Sequence, residues 1–169
     1  MVFVTVGNAT QEFRRLLSAV DALAGEGFFQ HDSVFIQTGH SRSFHSQHCI
    51  CTSFLSTDEF VQRMENADLI ICHGGCTQLQ AIRLGKTPVV MPRRKIYDEH
   101  VNDHQMQLVR ALAQDGLIVP AYEPENLAAA INEARQKNAH RTLPPPSPMI
   151  PLVAEAIDQL LGLRRSSVT

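Results

Sequence analysis

Hydrophobic positions along the chain switch repeatedly between two periods. Val2-Phe3-Val4-Thr5-Val6 is a short β-branched run closed by Gly7, the pattern of a strand buried on both faces. Phe13, Leu16, Leu17, Val20, Leu23 and Ala24 then recur at helical spacing, with Gly25 and Gly27 ending the helix. Ser33 to Gln37 predicts a second strand closed by Gly39, the polar segment 41–48 a loop, and Cys49 to Phe54 a short third strand. Ser56 or Thr57 caps a helix through Asn66, with Asp58 and Glu59 at its positive end. The run from Asp68 to Cys72, apolar after its first residue, predicts another doubly buried strand. A helix from Thr77 to Leu84 stops at Gly85, and Pro88 to Met91 is a strand ended by Pro92. Val101, Leu108, Val109 and Leu112 mark one side of the next helix, which ends at Gly116. A short strand over 117–119 precedes a helix begun by Glu123-Pro124-Glu125, with Leu127, Ala128, Ile131 and Ala134 inward. Strands alternating with helices, without internal repeat, predict an α/β fold: a Rossmann-like, doubly wound parallel sheet of about six strands.

This domain is expected to occupy residues 1–143. The prolines from Pro144 to Pro148, with Pro151, predict a stiff extended connector within a second segment, 144–169. There Leu152, Val153, Ala156, Ile157, Leu160 and Leu161 define one more amphipathic helix, either packed on the domain or docked on a partner. The net charge of -2 gives no bulk electrostatic reason to bind nucleic acid. No apolar run reaches the ~18 residues that span a bilayer. The opening residues read as a strand and not a signal peptide, so a cytoplasmic protein with four reduced cysteines is expected.

The candidate chemistry sits where the apolar strand ending at Cys72 meets the turn His73-Gly74-Gly75-Cys76-Thr77. In open parallel sheets ligands bind beyond the carboxyl ends of strands. Glycines there admit close backbone approach, and the following helix offers free amides and partial positive charge, a ready cradle for a diphosphate. His73 and Thr77 add side-chain donors. The alternative is a tight strand-to-helix turn that holds nothing.

Downstream stand Arg83-Leu84-Gly85-Lys86-Thr87-Pro88-Val89-Val90-Met91-Pro92-Arg93 and Glu99-His100-Val101-Asn102-Asp103-His104-Gln105. With Val4-Thr5-Val6-Gly7 and Gln37-Thr38-Gly39, these motifs resemble the C-terminal, nucleotide-sugar-binding half of GT-B glycosyltransferases of family 28. The likeness covers residues 2 to about 119. It extends to stand-alone subunits of that half, the PssE-like subunits of bacterial exopolysaccharide synthesis and the catalytic subunit of the two-part dolichol-linked N-acetylglucosamine transferase. The resemblance implies that the amides of Gly74, Gly75 and Cys76 hold the donor diphosphate. It implies that Asn102, Asp103, His104 and Gln105 face the sugar, with Asp103 and Gln105 bonding its hydroxyls. Gly7 would let the first loop pass close to the donor, and Arg93 would lie at the rim to help neutralise the leaving diphosphate. The chain departs from the family at Cys76, where a glycine is usual before the Ser/Thr, and along the helix. There a ribose-binding carboxylate is replaced by the amides Gln78 and Gln80, of which Gln80 can still bond a hydroxyl.

The family likeness also implies a reaction without bound metal or other cofactor, a donor that is a uridine diphosphate (UDP) sugar, and a lipid-linked acceptor. The general base would come from the acceptor-binding half. A chain of 169 residues holds one half. The expected partner is therefore a membrane-anchored, PssD-like acceptor-binding subunit that recruits this chain to the cytoplasmic face of the membrane for polysaccharide biosynthesis. The rival reading is a non-catalytic nucleotide-sugar-binding or scaffold subunit that stabilises such a partner. A sugar-nucleotide epimerase shares the GT-B shape but needs both halves in one chain. His45, His48, Cys49 and Cys51 are candidate zinc ligands, although Cys49 and Cys51 alternate on a strand and would share its core face. Cys76 at a helix N-terminus is a candidate nucleophile, with His73 or His104 as base, against the simpler reading of a small turn residue.

Overall fold

The computed structural model describes residues 1–139, and the proline connector and last helix lie outside them. Six parallel strands run in the order β3-β2-β1-β4-β5-β6. They are β1 (Val2–Thr5), β2 (Val34–Gln37), β3 (Ile50–Thr52), β4 (Leu69–His73), β5 (Val89–Met91) and β6 (Val119–Pro120). Five α-helices connect and flank them: α1 (Arg14–Gly25), α2 (Thr57–Asn66), α3 (Cys76–Arg83), α4 (His104–Gln114) and α5 (Leu127–Ala139).

The two-residue period of each strand explains the layers. Val2, Val4, Val34, Ile36, Leu69, Ile71, Val89 and Met91 point to one face, where Leu16, Leu17 and Val20 of α1 and Leu127, Ile131 and Ala134 of α5 cover them. Phe3, Phe35, Ile70, Cys72 and Val90 point to the other face, against Met64 of α2, Ala81 of α3 and Val109 of α4. Central strands buried on both sides cannot alternate apolar with polar residues, so they read in the sequence as continuous apolar runs.

Helix ends follow local chemistry. Ser56 caps α2 in a reciprocal box: its Oγ accepts from the Glu59 amide at 3.3 Å and Glu59 Oε2 accepts from the Ser56 amide at 2.9 Å. At the far end of α2, Lys86 Nζ donates to the carbonyls of Met64, Glu65 and Ala67 at 2.6, 2.5 and 2.7 Å. The N-terminus of α1 is capped from a distance, the Phe13 amide donating to Ser41 Oγ at 3.0 Å.

Three expectations are corrected. The edge strand β3 is short, with Ile50 and Cys51 exposed, so Cys51 does not share a core face with the half-buried Cys49. Among the described residues β3 is the edge of the sheet, paired with β2, which leaves Ile50 60% exposed. Val101 precedes α4 and is 67% exposed, because a 3-10 turn at Lys95–Tyr97 and the bonded stretch after it delay the helix to His104. The last strand begins two residues later than its apolar pattern suggests, at Val119.

Candidate functional site

Strands β1 and β4 are neighbours, yet the chain leaves β1 toward α1 on one face and leaves β4 toward α3 on the other. That divergence opens a crevice beyond their carboxyl ends. A cavity of about 430 Å³ occupies it. Gly7 and Asn8 follow β1 into its wall, and Gln37 closes β2 against it. Leu55, Ser56, Thr57 and Phe60 enter from the start of α2. His73, Cys76, Thr77 and Gln80 come from the end of β4 and from α3.

The glycines of this site make room for one imidazole. A Cβ on Gly7 would lie 2.4 Å from His73 Cε1, and one on Gly75 would lie 2.3 Å from His73 Nε2. Gly7 also has φ +73, in the left-handed region where glycine carries no steric penalty. A Cβ on Gly74 would lie 2.8 Å from Val109 Cγ2 and 3.0 Å from Gln105 Cβ. The glycine-rich turn is thus required by protein–protein packing: His73 is clasped between two loops, and α4 rests on Gly74.

Two of the three amides assigned to the diphosphate are already satisfied. The Gly74 amide donates to Gln105 Oε1 at 3.0 Å, and the Gly75 amide to the His73 carbonyl at 2.9 Å. Gly75 stands at the N-cap of α3 and supplies no side-chain cap. The donors left to the cavity are the first-turn amides of Cys76 and Thr77, joined by the Thr77 hydroxyl. Thr5 Oγ1 secures the opposite wall, accepting from the Gly7 amide and donating to Gln37 Oε1, both at 3.2 Å.

His73 is held neutral. Burial lowers its pKa to about 4, the nearby Arg93 cation and His100 act in the same direction, and a Thr5 backbone contact opposes them. Its Nδ1 is buried without a hydrogen-bond partner. The folded state therefore binds fewer protons here than the unfolded chain between pH 6.5 and about 4. Stability from this group is complete above pH 6.5 and is lost as pH falls toward 4, a change on the order of 3 kcal/mol. Proton NMR of the His73 ring should give a midpoint near 4, and His73→Asn should flatten the acid limb of a stability profile. A midpoint at 6.5 would contradict the buried ring.

Arg93 is not at the rim. It is fully buried, with Nη1 donating to the carbonyls of Gln11, Glu12 and Glu99 at 2.9, 3.4 and 3.1 Å and Nη2 to Val6 O at 2.8 Å. Its guanidinium lies 4.6 Å from the Phe13 ring centre. Burial draws its pKa down to about 10, opposed by Glu99, so it remains a cation at neutral pH. The reason for its position is the number of loop carbonyls converging there, which a five-donor planar group satisfies.

The stretch 102–105 does not line the cavity. Asp103 Oδ1 accepts from the Lys95 amide at 2.9 Å and lies beside a separate depression with Arg94, Ile96 and Met106. Asn102 Oδ1 accepts from the His104 amide at 3.2 Å, a local turn at the head of α4, and His104 is exposed. Gln105 Oε1 accepts from the amides of both Gly74 and Arg93, each at 3.0 Å. Gln80 does reach the cavity, whereas Gln78 is fully buried with both side-chain polar atoms unpartnered.

The sequence reading assigned Ser56 and Thr57 only as helix caps and gave no role to Asn8, Leu55 or Phe60. Their signal was positional: the segment after β3 must end beside the segments after β1 and β4 on the same sheet edge. Among the described residues no group of three or more His, Cys, Asp or Glu is placed to hold a metal ion, and no helix is long and apolar enough to cross a membrane.

Solved glycosyltransferases share this architecture. The chain is similar to the glycotransferase of kitacinnamycin at a TM-score of 0.60 and 17% identity, over 82% of this chain and 35% of that one. It is similar to CalG4, the calicheamicin glycosyltransferase, at 0.58 and 15%, over 82% of this chain and 34% of that one. For SnogD from Streptomyces nogalater the values are 0.50 and 18%, over 96% and 43%. At such identities the likeness is one of fold, and the chain spans 34 to 43% of the length of these proteins. The model of the glycosyltransferase family 28 C-terminal domain matches residues 1–150. With the sheet order, the switch-point cavity and this match together, the chain belongs to the glycosyltransferase family 28 C-terminal domain family.

Proposed function

We propose that this chain is the donor-binding subunit of a two-subunit glycosyltransferase that moves a hexose from a UDP-sugar to a lipid-linked acceptor in polysaccharide biosynthesis. The observation that carries the reading is the cavity at the β1–β4 divergence, with the α3 N-terminus opening into it. Among the described residues, the ionisable side chains in its wall are the neutral His73 and the thiol of Cys76. A diphosphate there is held by the amides of Cys76 and Thr77, the Thr77 hydroxyl and an imidazole N–H, with ribose hydroxyls within reach of Gln80 and Thr57. Phe60 and Leu55 offer an apolar wall for the base.

In the transfer, the acceptor hydroxyl oxygen forms a bond to the anomeric carbon as the bond from that carbon to the diphosphate breaks. The hydroxyl proton passes to a general base on the partner, and the negative charge gathers on the departing diphosphate. Fixed amide dipoles at the α3 N-terminus stabilise that charge without a metal ion. The partner is a membrane-anchored, PssD-like subunit that holds the acceptor and brings this chain to the cytoplasmic face. A second reading, a non-catalytic nucleotide-sugar-binding or scaffold subunit, draws support from the internally bonded amides of Gly74 and Gly75.

Calorimetric titration of the full chain with UDP and UDP-hexoses should show saturable binding below about 1 mM, roughly 4 kcal/mol or more. Transfer to a lipid-linked acceptor should require co-purified partner. No binding at millimolar donor, with or without partner, would favour the scaffold, and robust transfer by the chain alone would refute the two-subunit arrangement.

A further inference from the structure

The four cysteines of the chain differ in what surrounds their thiols. Cys72 is fully buried, and burial pushes its thiol far above the ordinary range. Cys49 is half-buried and Cys51 exposed. Burial pushes both of these thiols up, a contact with Ser46 opposes it, and the Asp21 carboxylate adds to the rise. Cys76 is exposed and opens the first turn of α3, in the wall of the cavity at the β1–β4 divergence. Among the described residues no carboxylate lines that wall, and the first-turn amides give it the partial positive charge of a helix start. A second observation, independent of the thiol, points to a ligand beside it. His73 is buried in the same wall with Nδ1 unpartnered, a polar atom that the protein's own groups leave unsatisfied.

We propose that Cys76 is a thiolation site, where an acidic low-molecular-weight disulfide forms a mixed disulfide that closes the nucleotide cavity. The Cys76 thiol gives its proton to solvent, and its sulfur bonds to one sulfur of the reagent as the reagent's own S–S bond breaks. The electron pair of that bond leaves with the second sulfur, which departs as a free thiol. Cys76 is thereby oxidised and half of the reagent reduced, and excess thiol runs the exchange backward. The helix start draws an anionic reagent to Cys76, whereas Asp21 repels it from Cys51. An adduct on the sulfur occupies the space before the Cys76 and Thr77 amides, so its effect on nucleotide rests on the donor-site reading above.

The full chain is treated with glutathione disulfide, which is anionic, and in parallel with cystamine, which is dicationic. Peptide mass mapping should place the glutathionyl group on Cys76 in the parent and Cys51→Ala proteins, with no such adduct in Cys76→Ala. Relative to a small free thiol, Cys76 should favour glutathione disulfide over cystamine by about tenfold, an advantage that salt near 1 M reduces. The modified chain should bind UDP about a hundredfold or more weaker, and reduced glutathione should restore the affinity. In Cys76→Ala the treatment should leave UDP affinity where it stood beforehand. No adduct, an adduct confined to Cys51, or no preference for the anionic reagent would refute the site. An adduct on Cys76 that leaves UDP affinity unaltered would refute closure of the cavity. If the untreated chain binds no UDP, the donor-site reading fails, while the mapped residue and the charge preference still decide the thiolation site.

Discussion

Arg93→Met should lower the unfolding free energy by about 3–5 kcal/mol and the melting temperature by about 10 °C. The size follows from what the guanidinium leaves behind. Four loop carbonyls converge on the buried guanidinium: those of Val6 and Glu99 in fully buried bonds, those of Gln11 and Glu12 in partly buried ones. Methionine fills the volume and supplies no donor, so acceptors that had charge-assisted bonds become unsatisfied in a buried setting. The bidentate pair between Arg15 and Glu99, at 2.9 and 2.8 Å, loses the neighbouring cation that bonds the Glu99 carbonyl. Arg93→Lys should recover only part of the loss, because an ammonium cannot present the planar fork. Denaturant titration followed by circular dichroism measures both variants. A loss below about 1 kcal/mol for Arg93→Met would mean that water or a backbone shift replaces the guanidinium.

Gly75→Val should abolish nucleotide binding, by about a hundredfold or more, while the chain stays folded. The added Cβ would sit 2.3 Å from His73 Nε2 and 2.8 Å from His73 Cδ2. The ring cannot retreat, because the space on its other side is filled by the Gly7 loop. His73 must leave its clasp, and the segment that presents the Cys76 and Thr77 amides must move with it. The sheet and its two apolar layers do not include Gly75, so the melting temperature should fall by only a few degrees, about 1–2 kcal/mol. Calorimetry with UDP alongside a thermal melt separates the two effects. Undiminished UDP binding in a folded Gly75→Val protein would place the diphosphate elsewhere.

These two expectations differ in how readable they were. Gly75 was visible as part of a glycine-rich turn after an apolar strand, and the structure places that turn beside the cavity. Its reason was not visible: the glycine was assigned to close approach of a ligand, and the structure shows close approach of His73. Arg93 was expected at the rim, because a sequence motif does not mark what its side chains touch. A buried arginine bonded to carbonyls and a rim arginine facing a phosphate are the same letter in a row. The bonds of the Asp103 and Asn102 side chains to the amides of Lys95 and His104 were likewise not legible in the sequence.

What the sequence determined by itself was the layered frame. The short, largely apolar runs within residues 2–6, 33–37, 68–72 and 88–91, bounded by turn residues, read as strands, and the helical stripes between them supply the two covers. Ser56 with Glu59 fixed a helix start through bonds only three residues apart, which local chemistry suffices to specify. Tertiary structure alone decided the contents of the cradle. The bonds that shape it join Val6 to Arg93 and Gly74 to Gln105, positions 87 and 31 residues apart. Such contacts depend on strand order and on where the loops converge, and no period, cap or turn residue in the chain encodes them.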